Sequence, residues 1–195
     1  IANSNIKDPE YFNEHDLIRI LVLYGPMNMN FENIDDRKEK TTIEISVAEY
    51  ICNSINEDEL KFDNKTFAKM YELVNNSLNK NTFLKLSFFK NQSDQKIVKF
   101  ISEIELNKHE LSENWINKKN IFTNSEKDKL KQAVIGSVYS FKSSKVEKRI
   151  KVIQEKITQL DSSKNSELIE LLSEQVALEE IKKTISNHLG RIIIH

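Results

Sequence analysis

The sequence predicts an all-α protein in which a helical bundle is followed by a long antiparallel helical hairpin. Only three glycines and two prolines occur in 195 residues, fewer turn-forming residues than a β-rich or nucleotide-cradling fold normally needs. Apolar residues recur at helical spacing over most of the chain. In the last third, two long helical patterns are separated only by a short polar break, which favours a hairpin.

Each helix of the predicted hairpin carries an apolar seam, and such seams pack helices side by side. The first seam recurs at spacings of four, three, four and three residues: Val146, Ile150, Ile153, Ile157 and Leu160. The second helix carries a longer series: Leu168, Leu171, Leu172, Leu178, Ile181, Ile185 and Leu189. We expect the turn at residues 161–166 and the end of the second helix at Gly190. The chain is therefore predicted to consist of a bundle subdomain, residues 1–140, and a hairpin subdomain, residues 141–195.

Helix start and stop signals place the first helices of the bundle. Pro9 fits the first helical position, and Gly25–Pro26 ends that helix. Ser46 and Glu49 have the spacing of a capping box, and Asn64 can cap the helix after it.

Other stretches of the bundle have weaker patterns. Residues 27–40 are polar and predict a loop. Residues 41–47 alternate apolar and polar side chains like a strand, but no partner strand is visible, so we expect an extended or irregular segment. A short helix is expected to open at Ser112, and the long helix of the hairpin near Ser125.

Composition excludes several classes of protein. The net charge of −1 gives no global attraction to nucleic acid or to membranes. Cys52 is the only cysteine, so no intrachain disulfide can form, which fits a reducing compartment. No apolar run approaches the roughly 20 residues of a membrane span, and no signal peptide is recognised, so we predict a cytoplasmic protein. The chain begins at Ile1 rather than Met, as expected of a piece of a longer protein.

The sequence predicts no catalytic, cofactor or metal site. Glu14, His15 and Asp16 are adjacent, but neighbours on a helix do not face each other, so a solvated helix start is favoured. The histidines lack ligand spacing and are interpreted as exposed. The three glycines are too far apart for a phosphate-binding loop. Cys52 lies on an apolar helix face and is interpreted as buried.

Two surfaces have both a structural and a functional interpretation. One is an aromatic set that could stack bases but has core spacing: Phe83, Phe88, Phe89 and Phe100. The other is a basic stretch that could bind acidic segments but has glutamates interspersed: Lys142, Lys145, Lys148, Arg149 and Lys151.

A second apolar stripe lies beside the seam of the last helix. Ile169, Leu172 and Val176 recur at spacings of three and four, and nothing on the hairpin itself would cover them. The stripe either packs on the bundle or binds a partner, because exposed apolar surface of this kind usually marks an interface. Further apolar area near the end of the chain is predicted to join the partner-binding surface: Arg191, Ile192 and Ile193.

Six stretches, taken in order, resemble the C-terminal, helicase-binding region of bacterial DnaG-type primases, and the resemblance covers nearly the whole chain. They are residues 15–25 (HDLIRILVLYG), 47–51 (VAEYI), 58–62 (DELKF), 88–89 (FF), 111–115 (LSENW) and 188–193 (HLGRII). Residues 27–40 depart from the family's commonest pattern.

The resemblance implies a helical bundle and hairpin that dock onto the hexameric replicative helicase, stimulate it and recruit primer synthesis. In some members of the family, the bundle also binds the acidic tail of single-stranded-DNA-binding protein. The zinc-binding and polymerising domains of a primase are absent from this sequence, so we expect a non-catalytic piece of a primase, with no small-molecule substrate. A binding module for nucleic acid or for that acidic tail is the alternative, and a steep loss of binding with added salt would favour it.

Overall fold

The structure is a computed structural model that describes residues 9–34, 40–106, 130–160 and 164–193. α-Helices dominate these residues, as the predicted fold class requires. The elements, in chain order, are α1 (Pro9–Tyr24), β1 (Asn28–Ile34), β2 (Lys40–Ser46), α2 (Val47–Glu57), α3 (Lys65–Leu78), α4 (Leu86–Lys90), α5 (residues 95–106), α6 (Leu130–Gln159) and α7 (Asn165–Ile193). The helix starts predicted at Ser112 and Ser125 lie outside the described residues.

A small antiparallel sheet corrects the prediction for residues 27–47. β1 pairs with β2 so that Asn28 lies opposite Ser46 and Phe31 lies opposite Ile43. The loop predicted at 27–40 is therefore wrong for residues 28–34, which form β1, while residues 35–39 lie outside the described residues. The segment at 41–47, predicted to be extended or irregular, has a partner strand that the sequence pattern did not reveal. The side chain of Met29 is buried, and the ring of Phe31 stacks on Tyr50 with centroids 5.2 Å apart. Alternate residues of β1 thus face the core, as in any half-buried strand.

The chain divides into two compact units. One comprises Glu14–Val134, and the other combines the residues up to Asn13 with those from Ile135 onward. The division falls within α6, and the subdomain boundary at residue 140 stays a prediction.

The Glu14–Val134 unit has a core formed by one face of each of its longer helices. Its fully buried side chains of large volume are Leu17, Ile18, Ile20, Ile51, Ile55, Met70, Phe89, Ile97 and Ile101. Phe100 is also buried, whereas Phe83 and Phe88 are partly exposed. The aromatic set is therefore divided between core and surface and forms no continuous platform for bases.

Two capping interactions confirm the predicted helix starts. The Ser46 hydroxyl accepts a hydrogen bond from the Glu49 N–H, and the Glu49 carboxylate accepts one from the Ser46 N–H, which completes the capping box of α2. The Asn64 side chain accepts from the N–H groups of Thr66 and Phe67 at the start of α3.

Replacing Ser46 with Ala should lower the free energy of unfolding by about 1 kcal/mol, because the first turn of α2 loses its side-chain acceptor. The capping hydrogen bonds from the Ser46 hydroxyl and then its backbone N–H hold the pKa of Glu49 below its usual value. A depressed pKa means that the capping contribution is present above the unfolded-state pKa and is lost as pH falls through the folded-state value. Urea titrations between pH 7 and pH 3 should therefore show a smaller difference between the wild type and Ser46→Ala in acid, because the Ser46 hydroxyl then no longer donates to a charged Glu49 carboxylate. A constant difference would contradict this assignment.

The prediction that Glu14 belongs to a solvated helix start is wrong, because Glu14 is buried. Its side chain is only 1% exposed. One carboxylate oxygen accepts a 2.7 Å hydrogen bond from the Asp63 N–H, and the other accepts a 3.0 Å bond from the Asn64 N–H. Glu14 therefore anchors the backbone that enters α3, while Asp16 pairs with Arg19 at 2.8 Å on α1 itself.

The hairpin is formed by α6 and α7, which pack antiparallel as predicted. α6 ends at Gln159 and α7 begins at Asn165, so the turn lies where the polar break placed it. Ile150, Ile153 and Ile185 are buried.

Two details of α7 differ from prediction. The helix continues through Gly190 to Ile193. Among the described residues, no atom beyond the adjacent backbone of the same helix lies within 4 Å of the position that a Cβ would take at Gly190. Gly190 is thus an ordinary helical position and does not end the helix. Ile181 is 48% exposed and is not part of the seam. Leu171, Leu178 and Ile185 recur every seven residues and set the line of the seam, from which Ile181 is displaced by about 60° around the helix.

Candidate partner-binding surface

Ion pairs and one ring stack fix the register of the hairpin. Arg149 of α6 contacts the Glu174 carboxylate of α7 at 2.6 Å, and the Lys182 ammonium lies 3.4 Å from Glu147. The rings of Tyr139 and His188 stack with centroids 4.9 Å apart and an interplanar angle of 5°. Exposed ion pairs contribute little stability, but these contacts, together with the buried isoleucines, determine which face of α7 points away from α6.

The face of α7 turned away from the seam carries an exposed apolar stripe. Ile169 is 67% exposed, Leu172 45% and Val176 63%. Val176 lies about 160° around the helix from the seam residue Leu178. No described part of the chain buries these three side chains, so the stripe does not belong to the core.

A shallow groove of about 390 Å³ runs along this stripe. Leu172 and Val176 form its apolar floor, and Gln175, Glu179, Glu180 and Lys183 complete its lining. An apolar centre with a polar, charged rim is the usual arrangement of a protein–protein contact. These polar residues were not predicted, although Glu179, Glu180 and Lys183 follow Val176 at spacings of three, four and seven, and Gln175 follows Leu172 at a spacing of three.

The structure does not bring the predicted terminal residues next to the stripe. Arg191, Ile192 and Ile193 belong to the last turn of α7, and their side chains lie outside the described part of the structure. At the usual rise, Ile192 is roughly 24 Å along the helix axis from Val176. A partner that contacts both patches would have to span most of the helix.

The basic stretch of α6 is largely engaged within its own compact unit. The Lys145 ammonium lies 2.8 Å from the Glu10 carboxylate, and Lys148 lies 3.3 Å from the other oxygen of the same group. Arg149 is paired with Glu174, and the Lys145 side chain is only 11% exposed. At least three of the five basic side chains therefore have carboxylate partners within this unit, although Lys148 and Arg149 stay about half exposed.

The histidines were considered as candidate reactive groups, and the structure places His15 against other aromatic side chains. The ring of His15 meets those of Phe67 and Phe100 edge-on, at centroid distances of 6.1 and 5.1 Å. His15 is therefore half-buried among aromatic rings, and its interpretation as exposed is wrong. His109 and His195 lie outside the described residues. Among the described helices, none combines the length and apolar character that crossing a membrane requires.

Cys52 is buried, as the sequence predicted. Burial raises the pKa of its thiol to about 12, so the thiolate is disfavoured. The Tyr71 hydroxyl donates its single proton to Asn56 Oδ1 at 2.8 Å, and its oxygen lies 3.3 Å from the Cys52 carbonyl oxygen, so that α3 is joined to α2 beside Cys52.

Cys52 should resist thiol reagents in the folded protein. With a thiol-specific chromogenic disulfide at pH 8, we expect labelling at least about a hundredfold slower than in 6 M urea, because the thiol is inaccessible and protonated. The measurement is the absorbance time course under both conditions. Equal rates would show that Cys52 is accessible and that its helix face is not core.

The chain was compared with protein families, curated proteins and solved structures. The model of a family described as "Domain of unknown function (DUF8430)" matches residues 2–193. No curated protein and no solved structure matches the chain.

Proposed function

We propose that this chain, which belongs to the DUF8430 family, is a docking domain that binds a protein partner through the exposed apolar stripe of α7. The observation that carries the proposal is the exposure of Ile169, Leu172 and Val176 on a helix whose opposite side is packed against α6. Large apolar side chains that lie together at the surface usually mark an interaction site.

The partner we propose is the hexameric replicative DNA helicase. This assignment comes from the ordered sequence stretches that resemble the helicase-binding region of DnaG-type primases. A helical unit followed by a helical hairpin is the architecture that the resemblance implies, and this agreement supports the assignment. In this proposal the domain holds a cytoplasmic primase on the helicase, stimulates the helicase and brings primer synthesis to the replication fork.

The engagement of the basic stretch argues against the alternative partner. An acidic tail or a nucleic-acid backbone would have to compete with Glu10 and Glu174 for Lys145, Lys148 and Arg149. Binding through an apolar stripe should depend weakly on ionic strength, whereas binding to phosphates falls steeply with salt.

Co-elution tests the proposed partner. The purified chain should co-elute with the replicative helicase of the same genome in gel filtration at both 50 mM and 300 mM salt. The matched controls are a single-stranded oligonucleotide and a peptide with the acidic tail of single-stranded-DNA-binding protein. Binding to either control but not to the helicase would replace the proposal with its alternative.

The chain alone should make no primers, because we propose a non-catalytic piece of a primase. Incubation with a single-stranded template, nucleoside triphosphates and Mg²⁺ should give no labelled oligonucleotide on a denaturing gel. A complete primase serves as the positive control. Primer synthesis by the purified chain would contradict this part of the proposal.

A further inference from the structure

The outer edges of β1 and β2 differ in whether another part of the chain obstructs their outward-facing backbone groups. On the β1 side, the Lys131 ammonium donates a 2.8 Å hydrogen bond to the Asn30 carbonyl oxygen and lies 4.3 Å from the centroid of the Phe31 ring. A lysine laid on an edge strand is a common device that prevents further strands from pairing. The outer edge of β1 is therefore obstructed.

The outer edge of β2 has no such obstruction among the described residues. The Val47 N–H donates to the Met27 carbonyl at 2.8 Å, which makes this pair a hydrogen-bonded one in the ladder. Hydrogen-bonded pairs alternate with non-hydrogen-bonded pairs in an antiparallel ladder. The backbone N–H and C=O groups of Ile45 and Ile43 therefore point towards β1. The N–H and C=O groups of Thr42 and Glu44 must then point away from β1.

A polar groove of about 370 Å³ lies beside this edge. Its polar lining runs from Glu44 of β2 across Glu49, Asn53 and Asn56 of α2 to Asn75 and Asn79 of α3. Two of these residues are acidic and none is basic. The Asn56 amide donates a 3.1 Å hydrogen bond to Asn75 Oδ1, which ties the α2 and α3 walls together.

We propose that β2 and this groove bind an extended, lysine- or arginine-containing peptide segment as an added β-strand. Main-chain pairing with Thr42 and Glu44 would supply the hydrogen bonds, as in other proteins that recognise peptides at an open sheet edge. Glu44 accepts a 2.8 Å hydrogen bond from the Asn28 amide and Glu49 accepts from Ser46, but these bonds are to neutral donors, so the two carboxylates still give the groove a negative charge that favours basic side chains. The asparagine amides offer both donors and acceptors to polar groups. This site is separate from the stripe of α7 and does not depend on the proposed helicase partner.

The test uses three nine-residue, end-blocked peptides and the full, ¹⁵N-labelled chain. In one peptide lysine alternates with threonine, a good strand former. In the second, glutamate replaces lysine, and in the third, proline replaces threonine so that strand pairing is prevented. Amide chemical shifts should change at Thr42, Glu44 and Asn53 with the lysine–threonine peptide only. Equal binding of the lysine–proline peptide, or no change along β2, would overturn the proposal.

Two variants and one control sharpen the test. Thr42→Pro removes an outward-facing N–H, and Glu44→Lys reverses the charge, so each should raise the Kd of the lysine–threonine peptide about tenfold or more. The control, Asn30→Pro, introduces a proline on the obstructed outer edge of β1 and should leave the Kd of the lysine–threonine peptide unchanged. If circular dichroism shows that Thr42→Pro disturbs the fold, the affinity of Glu44→Lys alone tests the proposal, because Glu44 is exposed and its replacement should not affect folding. Unchanged affinity in a folded variant contradicts the proposal.

Discussion

Replacing Leu172 and Val176 together with Ala should weaken helicase binding by roughly tenfold to several hundredfold, because interface anchors usually contribute about 1–4 kcal/mol when truncated. Both side chains line the same groove on α7, and both are already exposed, so the folded chain should tolerate the change. Isothermal titration of wild type and variant against the helicase gives the affinities.

Ile181 provides the matched control for this experiment. It is a large apolar residue of the same helix and is 48% exposed, but it lies about 140° around the helix from Val176. Ile181→Ala should bind as the wild type does. If the double variant keeps its helicity and its affinity, the contact lies elsewhere. If it loses helicity, the stripe has a structural role.

Replacing Glu14 with Ala should lower the free energy of unfolding by about 3 kcal/mol or more. The substitution leaves the N–H groups of Asp63 and Asn64 without their carboxylate acceptor, and each hydrogen bond to a charged group contributes about 1.5–3 kcal/mol. Urea titration followed by circular dichroism measures the loss. Glu14→Gln, which keeps one acceptor oxygen, should lie between the wild type and Glu14→Ala.

Glu57→Ala is the control for that measurement, since this glutamate is exposed at the end of α2. Its effect should stay within about 0.5 kcal/mol, as is usual for surface substitutions. A Glu14→Ala variant as stable as Glu57→Ala would show that the carboxylate does not anchor the start of α3.

Short-range signals account for the parts of the fold that were predicted correctly. The capping box of Ser46 and Glu49, the cap at Asn64 and the stop at Gly25 each depend on residues a few positions apart. The polar break at 161–166 separates two long apolar patterns and therefore defines the hairpin without any knowledge of tertiary contacts.

The missed features depend on contacts between residues distant in the sequence. Glu14 is buried because it meets the backbone of Asp63 and Asn64, about fifty positions away, and nothing around Glu14 signals this. In β1 only Met29 and Phe31 show apolar alternation, and they stand among asparagines that favour turns. Pairing with β2 overrides that preference.

The apolar stripe of α7 was predictable from short-range spacing, but its exposure was not, because exposure depends on long-range contacts. The spacing of Ile169, Leu172 and Val176 predicted a stripe, but whether the stripe is covered depends on the rest of the fold. Its exposed side chains show that the described chain does not cover it. The proposed partner comes from the sequence resemblance, and the helical architecture agrees with it without naming a partner.

Photocrosslinking from the stripe tests the central claim most directly. A photoreactive phenylalanine analogue at Val176 should crosslink to the replicative helicase, whereas the same analogue at Glu155, an exposed position of α6, should not. Excess unlabelled chain should suppress the crosslink, and the Leu172→Ala substitution should reduce it. Equal crosslinking from both positions, or none from Val176 under conditions where the complex co-elutes, would contradict docking through α7.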